Sequence, residues 1–133
     1  MFISKEEKNW AAILHLSMLS SALIPLAGIA LPVAIWAIKG KESDYINTQG
    51  KRVINFMISF SIFSILVLAL AFGLPAFFAS PIGFQTQVTV IPPLGLVALV
   101  ILMCIGVVFP IVAAVRCAAG EDFKYPYTIG FIK

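Results

Sequence analysis

The chain has 133 residues, 61% hydrophobic and only 11% charged, with a mean hydropathy of +1.05. A soluble chain carries about a quarter charged residues, so this composition excludes an ordinary soluble enzyme and predicts one small integral membrane domain. The net charge of +3 is modest, and no basic stripe with interleaved aromatics argues for nucleic acid as a partner.

All nine Lys and Arg and all six Asp and Glu residues fall into three clusters: before Trp10, between Lys39 and Arg52, and from Arg116 onward. Residues 1–9 form a polar N-terminus, in which Ser4 followed by Glu7 fits a capping box that opens a helix. The acids in this stretch and the absence of a small-residue cleavage site predict that it is retained rather than removed as a signal peptide.

Residues 10–38 are apolar but interrupted. Their first half carries His15, Ser17, Ser20 and Ser21, and Pro25, Gly28 and Pro32 then follow in quick succession. Two complete crossings need about 20 residues each, so the segment is one kinked span or two half-helices forming a re-entrant hairpin. Two helical pieces meeting at Pro25–Pro32 are the favoured form. The N-terminus lies outside if the segment crosses once and inside if it re-enters.

Residues 39–52 read as a polar loop with four cations and two acids, and residues 53–72 as a clean span. Residues 73–93 carry no charge and are broken by Gly73, Pro75, Pro81, Gly83, Pro92 and Pro93. Here Gln87–Ile91 is expected to be briefly extended, with Phe77, Phe78 and Phe84 suited to a membrane interface. Residues 94–115 form the next span, bent near Gly106 and Pro110, and residues 116–133 a polar tail. The positive-inside rule makes the 39–52 loop and the tail cytoplasmic and the 73–93 loop external, in a multi-pass protein of the bacterial inner membrane. The fold class is thus an all-α polytopic membrane bundle. Cys104 and Cys117 lie on one helix about 20 Å apart, too far for a disulfide, and a single His with no CxxC predicts neither metal nor cofactor.

Four motifs in order carry a family resemblance: Trp10 with His15-Leu16-Ser17, Pro32 to Trp36 before a Lys-rich turn, Gln49 to Phe56, and Ala113 to Pro126. From about Trp10 onward the chain resembles the DUF4870 membrane proteins. These are similar to the Tic20 group, whose chloroplast members belong to a protein-import translocon. The resemblance implies a small helical membrane fold and, through Tic20, an oligomeric channel or translocation component. The long uncharged stretch around Ser80–Ile91 departs from that pattern.

Candidate interaction residues follow from polarity and position. A polar group within the membrane is a functional hypothesis by default, yet His15 lies shallow enough that bonding a neighbouring helix is the preferred role. Asn55 and Ser59 share a helix face and are expected to hydrogen-bond the broken first segment. Trp10 and Trp36 suit interface anchoring, and Pro25, Gly28 and Pro32 either kink the helix or shape a cavity. Ala69 and Gly73 offer a small-residue face for a neighbouring helix. Arg116 suits a helix C-terminus and lipid headgroups. Glu121, Tyr125 and Pro126, with Lys124, form a turn that docks a partner or folds back on the 39–52 loop.

No carboxylate shares a segment with the sole His, and no intramembrane acids pair, so catalysis is not expected. The leading expectation is a non-catalytic inner-membrane protein acting by helix–helix contact, as an accessory or assembly subunit of a larger complex. The alternatives are the channel just described and the binding of a lipid or small apolar ligand. Expected partners are membrane lipids and a membrane protein or further copies of the chain.

Overall fold

A computed structural model describes residues 2–22, 24, 26–73 and 84–133. Pro25, the stretch 74–83 and the side chain of Phe84 lie outside the described residues, so the expectations for Pro75, Phe77, Phe78, Pro81 and Gly83 do too. The described residues form helices α1 (Lys5–Leu16), α2 (Ala27–Lys39), α3 (Asp44–Leu68) and α4 (Phe84–Ala119). A 3-10 helix (Ser17–Ala22) extends α1, a π turn (Ala69–Gly73) ends α3, and no strand occurs among them. The chain divides into two compact units, Met1–Ser59 with Gly106–Lys133, and Phe60–Ile105.

In the first unit, α1 opens with the capping box its sequence announces. Ser4 Oγ accepts from Glu7 N at 3.1 Å, and Glu7 Oε2 accepts from Ser4 N at 2.7 Å. Ala11, Leu14, His15 and Met18 are buried at the spacing of one helical face. The serines that follow satisfy themselves locally. Ser17, Ser20 and Ser21 donate to the carbonyls of Leu14, Ser17 and Met18 at 2.6–2.9 Å, each three residues back, where the helix tightens to 3-10 form.

The broken segment 10–38 is two helices rather than one kinked span. The 3-10 helix packs against α2, and Gly28 makes the approach possible, because a Cβ there would fall on Ser21. Pro32 is buried within α2, where it supplies no N–H to the helix. The hairpin closes at its polar end: Lys39 Nζ lies 5.1 Å from the Trp10 ring centroid, and the Ser43 hydroxyl donates to Glu7 Oε1.

Two boundaries differ from the sequence expectation. Asp44–Arg52 is helix, not loop, because Ser43 Oγ accepts from the N–H groups of Tyr45 and Ile46 at 3.2 and 3.4 Å and Asp44 places its charge in the first turn. The region 84–93 is helix, not an extended piece and external loop. Uncharged and free of glycine from Phe84 to Leu94, the segment continues directly into the apolar helix, with Pro92 and Pro93 inside it.

In the second unit, a Cβ at Gly95 would fall on the Phe72 ring, so the missing side chain lets the π turn lie close against α4 there. Asp44–Gly73 and Gly95–Ala119 are both long and apolar enough to cross a membrane, and only 22% and 17% of their apolar windows are buried. A soluble protein's core helix is mostly buried; these leave Ile62, Phe63, Ile65, Leu66, Val100, Ile101 and Met103 exposed.

Trp36 joins α2 to α3. Its Nε1 donates to Asn47 Oδ1 at 2.9 Å, and the indole covers Gly50, where a Cβ would overlap the ring. Gly50→Val should therefore lower stability by about 1–3 kcal/mol through overpacking. Thermal unfolding in detergent checks this, and an unchanged midpoint would show that the indole is free to move aside.

Candidate functional site

The three charge clusters of the sequence meet in the first unit. Helix α4 stops with a glycine cap: Gly120 adopts φ +86°, its N–H reaches Cys117 O, and the Glu121 N–H reaches Arg116 O, both at 2.9 Å. A Cβ at Gly120 would press on the Lys8 side chain, so α1 lies close by. The tail then turns back along α3.

Within this junction runs a buried polar chain. His15 has no exposed surface; its Nδ1 lies 2.7 Å from the Tyr125 hydroxyl and its Nε2 lies 3.3 Å from Gln49 Oε1. Gln49 Nε2 donates to Asp122 Oδ1 at 3.0 Å. Because Gln49 Oε1 can only accept, the His15 proton sits on Nε2 and the Tyr125 O–H donates to Nδ1. The donors thus all point one way, from Tyr125 through His15 and Gln49 to the carboxylate of Asp122. The Tyr125 hydroxyl also lies 3.7 Å from Met18 Sδ, and its ring stacks on Phe56 with centroids 4.1 Å apart.

Arg52 closes the chain with a two-pronged pair to Asp122, Nη1 to Oδ1 and Nη2 to Oδ2, the latter at 3.0 Å, and its Nη1 also donates to Phe123 O at 2.9 Å. The Arg52 guanidinium holds the Asp122 carboxyl below its ordinary value of 3.8, with Gln49 and Lys124 adding to the shift. Further along α3, the Asn55 amide clasps the peptide of Ile132, donating to its C=O at 2.9 Å and accepting from its N–H at 2.8 Å. Ser59 Oγ accepts from Ile129 N at 2.9 Å and donates to Asn55 O at 2.8 Å. Tyr45 donates to Glu121 O at 3.1 Å.

The residues singled out in sequence are thus distributed unevenly. His15, Asn55, Ser59, Glu121 and Tyr125 converge here. Asn55 and Ser59 bind the tail, not the first segment, and the tail folds back on α3. Trp36 is half-buried against Gly50, and Gly28 and Pro32 are buried within α2, Gly28 against Ser21. Arg116 lies 4.0 Å from Glu121 and over Phe123, and Pro126 is exposed beside Tyr127, whose φ is +56°. Sequence reading passed over Gln49, Arg52 and Asp122 as site residues. The signal was available: Gln49, Arg52, Asn55, Phe56 and Ser59 recur at three- and four-residue steps on one face of α3. Among the described residues no group of three His, Cys, Asp or Glu could hold a metal ion.

The described residues define a small helical protein with a cross-tied polar junction in its first unit and two long apolar helices. The chain matches the family model of the magnetosome magnetite crystal formation proteins, MamF/MmsF, over residues 6–132, and it belongs to that family. The resemblance to DUF4870 and the Tic20 group is overturned by this match, which covers nearly the whole chain, and the translocation role it implied falls with it. No curated protein and no solved structure matches the chain.

Two outcomes test the junction. Asn55→Ala removes both bonds to Ile132, so protease cleavage after Lys124 should accelerate by at least about fivefold, at roughly 0.5–1.5 kcal/mol per bond. An unchanged rate would mean that the tail is held elsewhere. Because the folded-state pKa of Asp122 is depressed, the pair stabilises the fold above pH 3.8 and that contribution is lost as pH falls through the lower folded value. Wild type should lose thermal stability in that acid window, whereas Asp122→Asn should start lower at neutral pH and change less.

Proposed function

We propose that this chain is a non-catalytic integral membrane protein of the magnetosome that takes part in magnetite crystal formation through helix–helix contact, as an accessory or assembly subunit of a larger membrane complex. The observation that carries this reading is the division of its surface. Every Lys, Arg, Asp and Glu belongs to the three clusters that meet at the polar junction, and the long helices are apolar and largely uncovered. The family's role in forming magnetite crystals supplies the process.

The hairpin supports a topology in which α1 and α2 enter the membrane and return without crossing. From Trp10 to Ala22 the arm is about 22 Å long, short of the roughly 30 Å hydrocarbon core. The N-terminus then shares a side with the 39–52 segment and the tail. With all nine Lys and Arg residues on that side, the positive-inside rule makes it cytoplasmic. Helices α3 and α4 cross, and their exposed apolar faces meet lipid, a partner helix or a second copy of the chain.

In magnetite-forming cells lacking this chain, electron microscopy should reveal crystals altered in size or number, restored by the wild-type chain. Crosslinking in the same membranes should capture a protein partner. Crystals identical to the parent's would sink the process, and a chain that migrates alone after mild solubilisation and never crosslinks would sink the subunit role.

A further inference from the structure

Between α3 and the returning tail lies an open cleft of about 190 Å³, lined by Arg52, Asn55, Lys124, Tyr125, Thr128 and Gly130. That is far above the roughly 10–15 Å³ that a single water requires. Its walls are cationic. Arg52 is held rigidly by Asp122 and the Phe123 carbonyl, with 19% of its side chain still exposed. Lys124 is exposed and, among the described residues, forms no salt bridge. Arg52 and Lys124 set against Asp122 leave one net positive charge at the cleft.

The polar groups are suited to an anion. Thr128 holds its proton loosely, 3.3 Å from Tyr125 O and 3.5 Å from Pro126 O, so a better acceptor can draw it away. At Gly130 a Cβ would meet nothing within 4 Å, so this wall crowds no occupant. A guanidinium fixed in orientation beside an exposed ammonium is a pairing that binds phosphate oxygens, Arg52 through the N–H groups that Asp122 and Phe123 leave free and Lys124 as a point charge. Arg52 is also the last charge before the run from Val53 to Val115, which carries none. On the membrane reading above, that position is the depth of lipid headgroups, where basic pockets beside membrane helices take anionic lipids.

We infer that this cleft binds a singly charged phosphate group, carried by an anionic phospholipid headgroup or present as free phosphate. The lipid source rests on the membrane reading, whereas the phosphate chemistry does not, so the two fail separately.

The test uses the full chain in mild detergent, probed in parallel with phosphatidylglycerol by native mass spectrometry and with inorganic phosphate by phosphorus NMR line broadening. Retention of phosphatidylglycerol that Lys124→Ala weakens about fivefold, that Lys124→Arg restores and that Lys41→Ala leaves alone supports the lipid source. Phosphate broadening with the same pattern of variants, and no retained lipid, supports the free anion. Binding of neither probe, or binding that Lys124→Ala and Lys41→Ala weaken alike, overturns the proposal. Because Lys124 is exposed, its replacement leaves the fold intact, and an unchanged thermal midpoint verifies this.

Discussion

A histidine with no exposed surface must find partners for both ring nitrogens, because an unpaired buried polar group costs about 1–3 kcal/mol. In this molecule that requirement organises the whole polar end. His15 comes from the first helix, Gln49 from the third and Tyr125 from the tail, and each completes its bonding only when the other two are present. Asp122 and Arg52 extend the chain to the surface, where the charge is solvated and paired. A fully satisfied network of this kind specifies one arrangement, since any partial version leaves a polar atom dry.

The tail depends on the same accounting. Residues 120–133 have no regular structure, so their backbone groups need partners outside any helix or sheet. Helix α3 supplies them through side chains that imitate a backbone. Asn55 offers an amide to a peptide, donor to acceptor and acceptor to donor, and Ser59 takes another N–H. The stacking of Tyr125 on Phe56, with Phe123 edge-on to Tyr125, adds apolar contact to a segment that composition alone marks as polar. The tail is thereby held to α3 by directional bonds as well as by apolar contact.

How much of this was legible follows from the range of each interaction. The capping box at Ser4 and the two long apolar helices depend on residues close in sequence, and periodicity and turn chemistry find them. The expected junction over Pro25–Pro32 was placed too late, since α2 begins at Ala27 and holds Gly28 and Pro32 within it. The helical state of Asp44–Arg52 was missed because charge density suggested a solvated loop while Ser43 quietly capped a helix. The helix over 84–93 was missed because two adjacent prolines and the β-branched residues Thr86, Val88, Thr89, Val90 and Ile91 argue locally against a helix. The polar junction was hardest. His15 and Tyr125 are 110 residues apart, Arg52 and Asp122 are 70 apart, and nothing local couples them. A family resemblance carried by short motifs pointed to the wrong family, because packing motifs common to small helical chains do not by themselves name a process.

The one-way direction of the hydrogen bonds has a consequence for substitution. The two inner members, His15 and Gln49, each accept one proton and donate the next, while Tyr125 only donates and the Asp122 carboxylate only accepts, so the chemistry of each is dictated by its neighbours. Tyr125 without a hydroxyl would leave Nδ1 of His15 bare, and a carboxylate in place of Gln49 would confront Asp122 with a second acceptor. A change at position 15, 49 or 125 alone therefore strands a donor or acceptor on its neighbour. The four residues form one bonding unit, dispersed along the chain and assembled only when it folds.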